Sequence, residues 1–589
     1  MTHRTEISDK MKIEWDVPIL MEDGVVVRAD IFRPVEIGRY PVLLTYGPYA
    51  KGLSFQQGYP NQWKALVTDH PEVTAESTGK YQSWEVVDPE KWVLDGYACV
   101  RVDGRGAGRT PGYLDPISPQ EHRDHYECIE WAGTQLWSNG KVGLNGISYY
   151  AWNQWHVASL QPPHLAAMCP WEGAADWYRD MNYHGGIMST FFASWYPQQI
   201  VTVQHGMGTR APRNPNTGEL IAGPETLSDE ELIRNRVDLG RQAREHPLCD
   251  DHARSRSADW SKVTVPFLSC ASWGGQGLHS RGNFEGFMRA ASKEKWLECH
   301  GLEHWTHFYT DYGRLLQKRF FDFYLKGEDN GWGEHPRVQL QVRHPGEYFV
   351  ERTENEWPLA RTQWTKFYFD AVDQGLTTRP PAEGSVSYDP LTSEGVTFYT
   401  PPLEQEMEIT GPVASKIALS SATADADLFL ILRVFDPNGN EVLFSGTVDP
   451  HTPVGQGWLR ASHRKLDLDL SLPYRPYHTH DEIQPLIPGD RYDVEVEVWP
   501  TCIVVPVGHR IALTIRGKDY DYGGPPINLG WIVMKGVGVF AHDDPTDRPA
   551  EVFGGTVTLY TGGQDAPHVL LPLIPQSTAD DAHSLQSLG

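Results

Sequence analysis

The stretch that decides the fold runs from Lys141 to Ala151 and reads KVGLNGISYYA. It begins as a short apolar run typical of a buried strand, and the residues after Ser148, YYAWNQWHVASL, can form a helix. Gly146 and Ile147 stand between the two, where a small residue lets the backbone bend sharply and leaves a serine hydroxyl exposed. The start of the helix favours a negative charge developing beside that serine. The segment therefore predicts a nucleophilic serine, with an ordinary turn into a helix as the alternative.

Apolar runs of the same kind recur on both sides of this segment. They alternate with stretches of helical period, which is the pattern of a parallel sheet with crossover helices. The runs lie at residues 41–46, 97–102, 141–144, 164–170, 265–271 and 295–300. We therefore predict an α/β domain formed by residues 1–170 and 263–333.

Two further segments differ from this pattern. Residues 171–262 are too long for a simple crossover and combine aromatic with charged helical sequence, so we expect them to form an inserted helical cap. From residue 334 the chain has short alternating strands separated by Pro, Gly and Asn-Gly, which predicts a β-sandwich over 334–575. The polar residues 576–589 are expected to form a tail.

Composition excludes several classes of protein. The 589 residues include 51 Lys and Arg against 77 Asp and Glu, a formal net charge of −26, so the chain should repel nucleic acid. It has no apolar run of about 20 residues, so we expect no membrane partner. The N-terminus lacks the apolar run of a secretory signal, and the seven scattered cysteines include no CxxC pair, so we expect free thiols and a cytoplasmic protein. A homo-oligomer remains open.

Several segments besides the serine segment resemble the cocaine-esterase and X-prolyl dipeptidyl-peptidase (CocE/NonD) family of α/β-hydrolases. In the first half they are GPYAK at 47–51, DGRGAG at 103–108, EWAGTQLWSNG at 130–140 and FFDFYLKG at 320–327. In the second half, GWLRASHR at 457–464 and Pro488-Gly489 resemble the family's jelly roll. The resemblance implies an α/β-hydrolase catalytic domain with an inserted helical cap, followed by a jelly-roll β-sandwich. It also implies Ser148 as nucleophile and no cofactor, although Tyr150 stands where the usual motif has glycine.

The general base is expected on the loop after the last strand of the α/β domain. The resemblance places it at His304, where an imidazole can take the serine proton and return it to the leaving group. His300 and His307 are the alternatives. The three histidines have a spacing that suits a metal on a helix, but Gly301 and the preceding strand argue against a helix, so no metal is expected.

A tetrahedral intermediate needs hydrogen-bond donors aimed at its oxyanion. One should be the backbone N–H of Tyr149, the residue after the nucleophile. The resemblance supplies the second as the hydroxyl of Tyr49, with Tyr46 as the alternative nearby.

The carboxylate of the triad is where the chain departs from the family. The family has an aspartate where this sequence has Gly275. Glu172, at the end of the neighbouring strand, could reach the same imidazole, and it is our preferred acid. Gln276 could instead orient His304 through a neutral hydrogen bond, or the enzyme could be impaired by the loss. Glu303 is less suitable because adjacent residues rarely face each other.

Together these features predict a serine hydrolase that cleaves a small-molecule carboxylic ester, or an amide, through an acyl-enzyme. Trp152, Trp155, Trp177 and Trp195 fall near the predicted pocket and would suit an aromatic group. One alternative is an X-prolyl-type aminopeptidase, which would need acidic groups for the substrate amine. The other is a degenerate hydrolase acting as a binding protein, which the missing aspartate favours.

Overall fold

A computed structural model describes residues 4–8, 11–528, 533–538 and 540–575. It divides into two compact units. The first contains the chain up to Asn182 together with Thr190–Pro336, and the second contains Tyr183–Ser189, Arg337–Ile527 and the described residues from Val533 onward. The predicted polar tail, 576–589, lies outside the described residues.

The strands and helices are numbered in chain order. The strands up to residue 300 are β1 (Arg4–Ser8), β2 (Met11–Leu20), β3 (Val26–Pro34), β4 (Tyr40–Gly47), β5 (Ala98–Asp103), β6 (Ser138–Ile147), β7 (Leu165–Trp171), β8 (Tyr183–His184), β9 (Ile187–Met188), β10 (Phe267–Ser272) and β11 (Lys295–His300). The helices are α1 (Phe55–Gly58), α2 (Pro60–Asp69), α3 (Pro89–Leu94), α4 (Pro119–Gly133), α5 (Tyr149–Ser159), α6 (Phe191–Trp195), α7 (Asp229–Arg234), α8 (Leu239–Glu245), α9 (Asp251–Ser255), α10 (Ser280–Arg289), α11 (Thr306–Tyr309), α12 (Asp311–Phe321) and α13 (Ala550–Phe553). Single 3-10 or π-helical turns lie at Pro71–Thr74, Trp177–Asn182, Tyr196–Ile200, Val201–Val203, Gly208–Arg210, Trp260–Lys262, Asp322–Lys326, Trp332–Glu334 and Ala461–His463.

The first unit is built on one mixed sheet in the order β1-β2-β3-β5-β4-β6-β7-β10-β11. Strands β5, β4, β6, β7, β10 and β11 run parallel, whereas β1, β2 and β3 pair antiparallel at one edge. Each apolar run predicted in this half coincides with a parallel strand, because these strands are buried along nearly their whole length and therefore contain mainly apolar residues. The predicted α/β class is therefore confirmed.

The carboxyl ends of the parallel strands position the candidate site. In a parallel sheet these ends lie at one edge, where ligands of α/β proteins bind. Ser148 directly follows β6, Glu172 directly follows β7, and His304 follows β11 by four residues. The turn that leads from β10 into α10 ends at the same edge and contains His279.

The segment between β7 and β10 contains the short helices α6 to α9. Polar N-caps start several of them; in α7, for example, Ser228 and Glu231 form a reciprocal capping box. The part of this segment that forms β8 and β9 groups with the second unit. None of the described helices has the length and apolar content needed to cross a membrane.

The second unit is rich in strands, as its sequence predicts. They are β12 (Val338–His344), β13 (Tyr348–Glu354), β14 (Gln363–Asp370), β15 (Gly375–Thr377), β16 (Gly384–Tyr388), β17 (Val396–Tyr399), β18 (Met407–Ser421), β19 (Asp427–Phe435), β20 (Gly455–Arg460), β21 (Tyr492–Val505), β22 (Arg510–Arg516), β23 (Ile527–Asn528), β24 (Val533–Met534), β25 (Val557–Thr561) and β26 (His568–Ile574). The main sheet has the order β16-β25-β18-β21-β20-β19-β22-β17-β15-β14-β26. Because β26 also pairs with β18, the sheet closes around an apolar core.

The cysteines are free thiols, and each is buried. They are Cys99, Cys128, Cys169, Cys249, Cys270, Cys299 and Cys502.

Candidate active site

Ser148 occupies a strained turn between β6 and α5. Its backbone angles are φ 56° and ψ −111°, a conformation that a residue with a side chain rarely adopts. The Ser148 N–H donates to the carbonyl of Trp171 at 3.1 Å, which ties the turn to the end of β7. Such strain persists only where the surrounding structure fixes it, and it is typical of a nucleophile presented at the tip of a turn.

Two glycines make room for the unusual Tyr150, and a third makes room for Ala151 beside it. A Cβ on Gly146 would lie 2.5 Å from the Tyr150 Cβ, and a Cβ on Gly47 would lie 2.5 Å from its Cε1. A Cβ on Gly173 would lie 2.7 Å from that of Ala151. The absence of glycine two residues after Ser148 is therefore compensated by small residues on the neighbouring strands.

The hydroxyl of Ser148 is hydrogen-bonded to His279. Ser148 Oγ lies 2.9 Å from His279 Nε2. Burial, and then the neighbouring His304, lower the pKa of His279 well below its usual value, so this ring is neutral and can accept a proton. The expectation from sequence was a contact between Ser148 and His304. His279 was missed because it stands in a glycine-rich turn with no motif around it, four residues after Gly275.

His304 lies beside this pair and faces a different residue. Its Nε2 is 2.9 Å from Glu85 Oε1, and its ring stacks on that of His279 with centroids 5.1 Å apart. Trp84 contacts the His304 ring edge-on, at a centroid distance of 5.6 Å. The structure therefore brings two histidines, rather than one, to the serine.

Glu172, the acid preferred from sequence, pairs with His300. Glu172 Oε1 lies 2.7 Å from His300 Nε2, and Glu298 Oε2 lies 2.7 Å from Nδ1 of the same ring. Burial alone would lower the pKa of His300, but the two carboxylates outweigh it and raise the pKa to about 10. Glu172 reaches His300 because β10 is the only strand between β7 and β11 in this part of the described sheet. The Glu172 carboxylate therefore forms a buried ion pair with His300 rather than with His304.

The two residues that the sequence placed after β10 also lie in the site. Gly275 begins the turn into α10 and accepts the N–H of His279 at 2.9 Å. A Cβ on Gly275 would lie 3.2 Å from the His279 Cβ and 3.3 Å from the backbone N of Ser280. Gln276 is buried in the same turn.

Both predicted oxyanion donors lie at the serine. The Tyr149 N–H is the first of α5 and has no partner within the helix, because the first turn of a helix leaves its N–H groups unpaired. The Tyr49 hydroxyl accepts a hydrogen bond from Trp195 Nε1 at 3.1 Å, and burial raises its pKa well above the usual value, so it keeps its proton. The alternative, Tyr46, directs its hydroxyl to Asp124 at 3.4 Å.

A small, solvent-open cavity lies at these residues. Its lining is almost entirely aromatic or aliphatic: Tyr49, Ser148, Tyr149, Trp152, Ala174, Phe191, Trp195, Leu278 and His279. Of the other tryptophans predicted nearby, Trp177 packs on Trp152, and Trp155 packs on Trp260 and Phe267. The cavity can hold an uncharged apolar group next to the serine.

A larger cavity of about 650 Å³ shares Tyr149 with the first. Its charged side chains have partners: Arg105 pairs with Asp23 and Asp124, Asp115 pairs with Arg256, and Glu121 accepts the Tyr149 hydroxyl. It therefore presents a set of internal ion pairs and no reactive group. Among the described residues, no group of three or more His, Cys, Asp or Glu side chains is arranged to hold a metal ion.

Comparison with known families matches both halves of the chain. The model of the X-Pro dipeptidyl-peptidase (S15 family) matches residues 23–309. The model of the X-Pro dipeptidyl-peptidase C-terminal non-catalytic domain matches residues 330–536.

Comparison with individual proteins gives full-length relatives. The cocaine esterase of Rhodococcus sp. is 23% identical, over 95% of this chain and 98% of its own. The crystal structure of a CocE/NonD family hydrolase from Staphylococcus aureus is 33% identical, covers 97% of this chain and 96% of its own, and superposes with a TM-score of 0.82. An aminopeptidase from a Thaumarchaeota archaeon shares the fold at 16% identity, covering 98% of this chain and 96% of its own with a TM-score of 0.67.

Proposed function

Because this chain belongs to the CocE/NonD family of serine hydrolases, we propose that it cleaves carboxylic esters through an acyl-enzyme formed on Ser148. The observation that carries the proposal is the 2.9 Å contact between Ser148 Oγ and His279 Nε2. It joins a hydroxyl on a strained turn to a neutral imidazole, which is what activates a serine as a nucleophile.

In the first half of the reaction, Ser148 Oγ attacks the ester carbonyl carbon while its proton passes to His279 Nε2. The carbonyl oxygen becomes an oxyanion, which the Tyr149 N–H and the Tyr49 O–H stabilise. The intermediate collapses as His279 returns the proton to the departing alkoxide, so that an alcohol leaves and the acyl group remains on Ser148. In the second half, water attacks the acyl-enzyme, His279 takes the water proton and then gives it to Ser148 Oγ, and the acid is released.

The cavity favours an ester with an uncharged, apolar acyl or alcohol group. Trp195 stacks on Phe191 with centroids 5.4 Å apart and on Tyr149 at 6.1 Å, which gives flat walls for an aromatic ring. An X-prolyl peptidase must hold the protonated amine of its substrate, and this needs a carboxylate. The described lining of the cavity contains none. Ester hydrolysis is therefore favoured over release of dipeptides.

The proposal includes the domain boundaries that the sequence predicts. Residues 1–170 and 263–333 would form the catalytic domain, and 171–262 would form the cap that sets specificity. Residues 334–575 would form a jelly-roll sandwich, which the closed order of strands in the second unit supports.

A fluorescent phosphonate probe tests the nucleophile. The wild-type chain should be labelled stoichiometrically, Ser148→Ala should not be labelled, and Ser280→Ala, which removes a buried hydroxyl beside His279, should be labelled like the wild type. His279→Ala should slow labelling by about 100-fold or more, because general-base assistance is worth about 10²–10⁴ in rate. If the wild-type chain remains unlabelled and hydrolyses no ester in a panel, a degenerate binding protein is the better description.

A further inference from the structure

Two buried carboxylates, Glu85 and Glu172, lie next to histidines at the candidate site. The carboxylate of Glu172 is committed to His300, whose other ring nitrogen is held by Glu298. Glu85 Oε1 instead contacts His304 Nε2 at 2.9 Å, and the His304 ring stacks on His279. Glu85 is therefore hydrogen-bonded to His304, and His304 stacks on His279, the histidine that contacts Ser148.

Backbone contacts tie Glu85 to the strand that ends just before the nucleophile. Its carbonyl accepts the N–H of Ile147, the residue before Ser148, at 3.0 Å, and Val86 forms a β-bridge with Gly146. Glu85 itself has φ 62°, a strained value for a residue with a side chain. This strain, like that of Ser148, is tolerated because the segment is tied to β6.

The side chains around Glu85 also leave it little freedom. Trp84 stacks on Tyr59 with centroids 4.0 Å apart and presents an edge to His304. Glu85 is 2% exposed and His304 is 4% exposed. A carboxylate buried this deeply against an imidazole acts on it with little screening by water.

Gly275, where the family resemblance puts an aspartate, is crowded by its own turn in this chain. A side chain on Gly275 would meet the Cβ of His279 and the backbone N of Ser280 at 3.2 and 3.3 Å. The turn from Gly275 to Ser280 is short because His279 N–H and Ser280 N–H both donate to the Gly275 carbonyl. The same turn that brings His279 to Ser148 thus leaves little room for a side chain there.

We propose that Glu85 replaces the missing aspartate as the positioning carboxylate of the site and acts through His304. The inference rests on the proposed function. Glu85 accepts the Nε2–H of His304, which fixes the tautomer of that ring and keeps its face against His279. When His279 takes the Ser148 proton, the negative charge of Glu85, hydrogen-bonded to the stacked His304 ring, stabilises the imidazolium.

The first test compares variants of the two carboxylates in the burst phase with a p-nitrophenyl ester. Glu85→Gln keeps the shape and removes the charge, and it should slow acylation by about 100-fold or more with little change in the dissociation constant of the ester, since loss of the supporting carboxylate costs up to about 10⁴ in a serine triad. Glu172→Gln is the matched control and should stay within about threefold of wild type in acylation, because its partner is His300. A Glu85→Gln variant that acylates at the wild-type rate, or a Glu172→Gln variant that alone loses it, overturns the proposal.

The second test is a double-mutant cycle with His304→Ala. If Glu85 acts through His304, the double variant should be no slower than His304→Ala alone, whereas independent losses would multiply and contradict the proposal. If thermal melts show that Glu85→Gln does not fold, Glu85→Asp is measured instead, because its shorter side chain moves the carboxylate away from His304. An acylation rate at least about tenfold lower supports the role of Glu85, and a wild-type rate overturns it. Phosphonate labelling of the wild type separates failure of the proposed function from failure of this inference. If the wild type is not labelled, the proposed function is refuted. If it is labelled and the Glu85 variants acylate at the wild-type rate, only this inference is refuted.

Discussion

At the scale of single residues, Tyr49 shows how burial fixes the protonation state of a hydroxyl. Its hydroxyl accepts a hydrogen bond from Trp195 and is held in an apolar wall of the cavity. Burial raises the pKa of the phenol, so the hydroxyl keeps its proton and remains a donor over the whole working range of pH. A donor of this kind costs no reorganisation when an oxyanion forms beside it.

We predict that Tyr49→Phe lowers kcat by about 10²- to 10³-fold with little change in KM, because one oxyanion donor is lost while the ring remains. Steady-state kinetics with an activated ester measure both constants. Tyr46→Phe is the control: its hydroxyl bonds Asp124, so the change should lower the melting temperature and leave kcat near wild type. Equal kcat values for the two variants would contradict the assignment of Tyr49.

The same scale shows which site residues a sequence can reveal. Ser148, Tyr49 and Tyr149 belong to local motifs, in which a few neighbouring residues dictate the backbone geometry that the chemistry needs. His279 and Glu85 have no such context, since each reaches the site only through long-range pairing. Glu172 was placed at the correct edge of the sheet, yet which imidazole it meets depends on how three strands align.

At the scale of elements, the turn after β6 depends on glycines in other elements. Gly47 ends β4 and faces the ring of Tyr150 in α5, where a Cβ would lie 2.5 Å from Cε1. The bulky Tyr150, two residues after the nucleophile, is therefore accommodated by a neighbouring strand, and positions 47 and 150 should be coupled energetically.

We predict that Gly47→Ala destabilises the chain by about 1–3 kcal/mol, because the added methyl overpacks a buried contact. Tyr150→Ala in the same chain should recover part of this loss, since it removes the ring that the methyl meets. Gly333→Ala is the control, as a Cβ there meets nothing within 4 Å. Chemical denaturation of the wild type, of Gly47→Ala and Tyr150→Ala singly and of the double variant measures the coupling, and strictly additive changes would refute it.

The elements themselves were predicted unevenly. The parallel strands stand out in the sequence because a strand covered on both faces is rich in apolar residues, and every residue of β5 and of β10 is buried. The antiparallel strands β1 to β3 were missed. At the edge, β1 has a weak pattern because none of its five residues is buried. Helices in the segment between β7 and β10 were expected, but its division between the two units depends on contacts that no local pattern encodes.

At the scale of the whole molecule, buried charge couples stability to pH. His300 is fully buried between Glu172 and Glu298 at the carboxyl edge of the sheet. The carboxylates overcome the effect of burial and raise its pKa from 6.5 to about 10. The folded chain therefore holds a proton on His300 that the unfolded chain releases above pH 6.5.

We predict that the stability contributed by His300 is fully present below about pH 6.5 and is lost as the pH rises toward 10. The sign follows because the folded state binds more protons in this window, so the free energy of unfolding falls with rising pH. Melting temperatures between pH 6 and 10 measure the slope. His300→Gln should flatten it even if the variant is less stable at every pH, and an unchanged slope would contradict the assignment.

The burial of every cysteine has a practical consequence for studying this hydrolase. Since none of the seven thiols lies at the surface, thiol-reactive dyes and spin labels should leave the native chain unmodified. One cysteine introduced at an exposed position would then be the preferred point of attachment, with no need to replace the natural ones. Movements of the segment between β7 and β10 during turnover could in this way be followed by fluorescence in an otherwise unaltered protein.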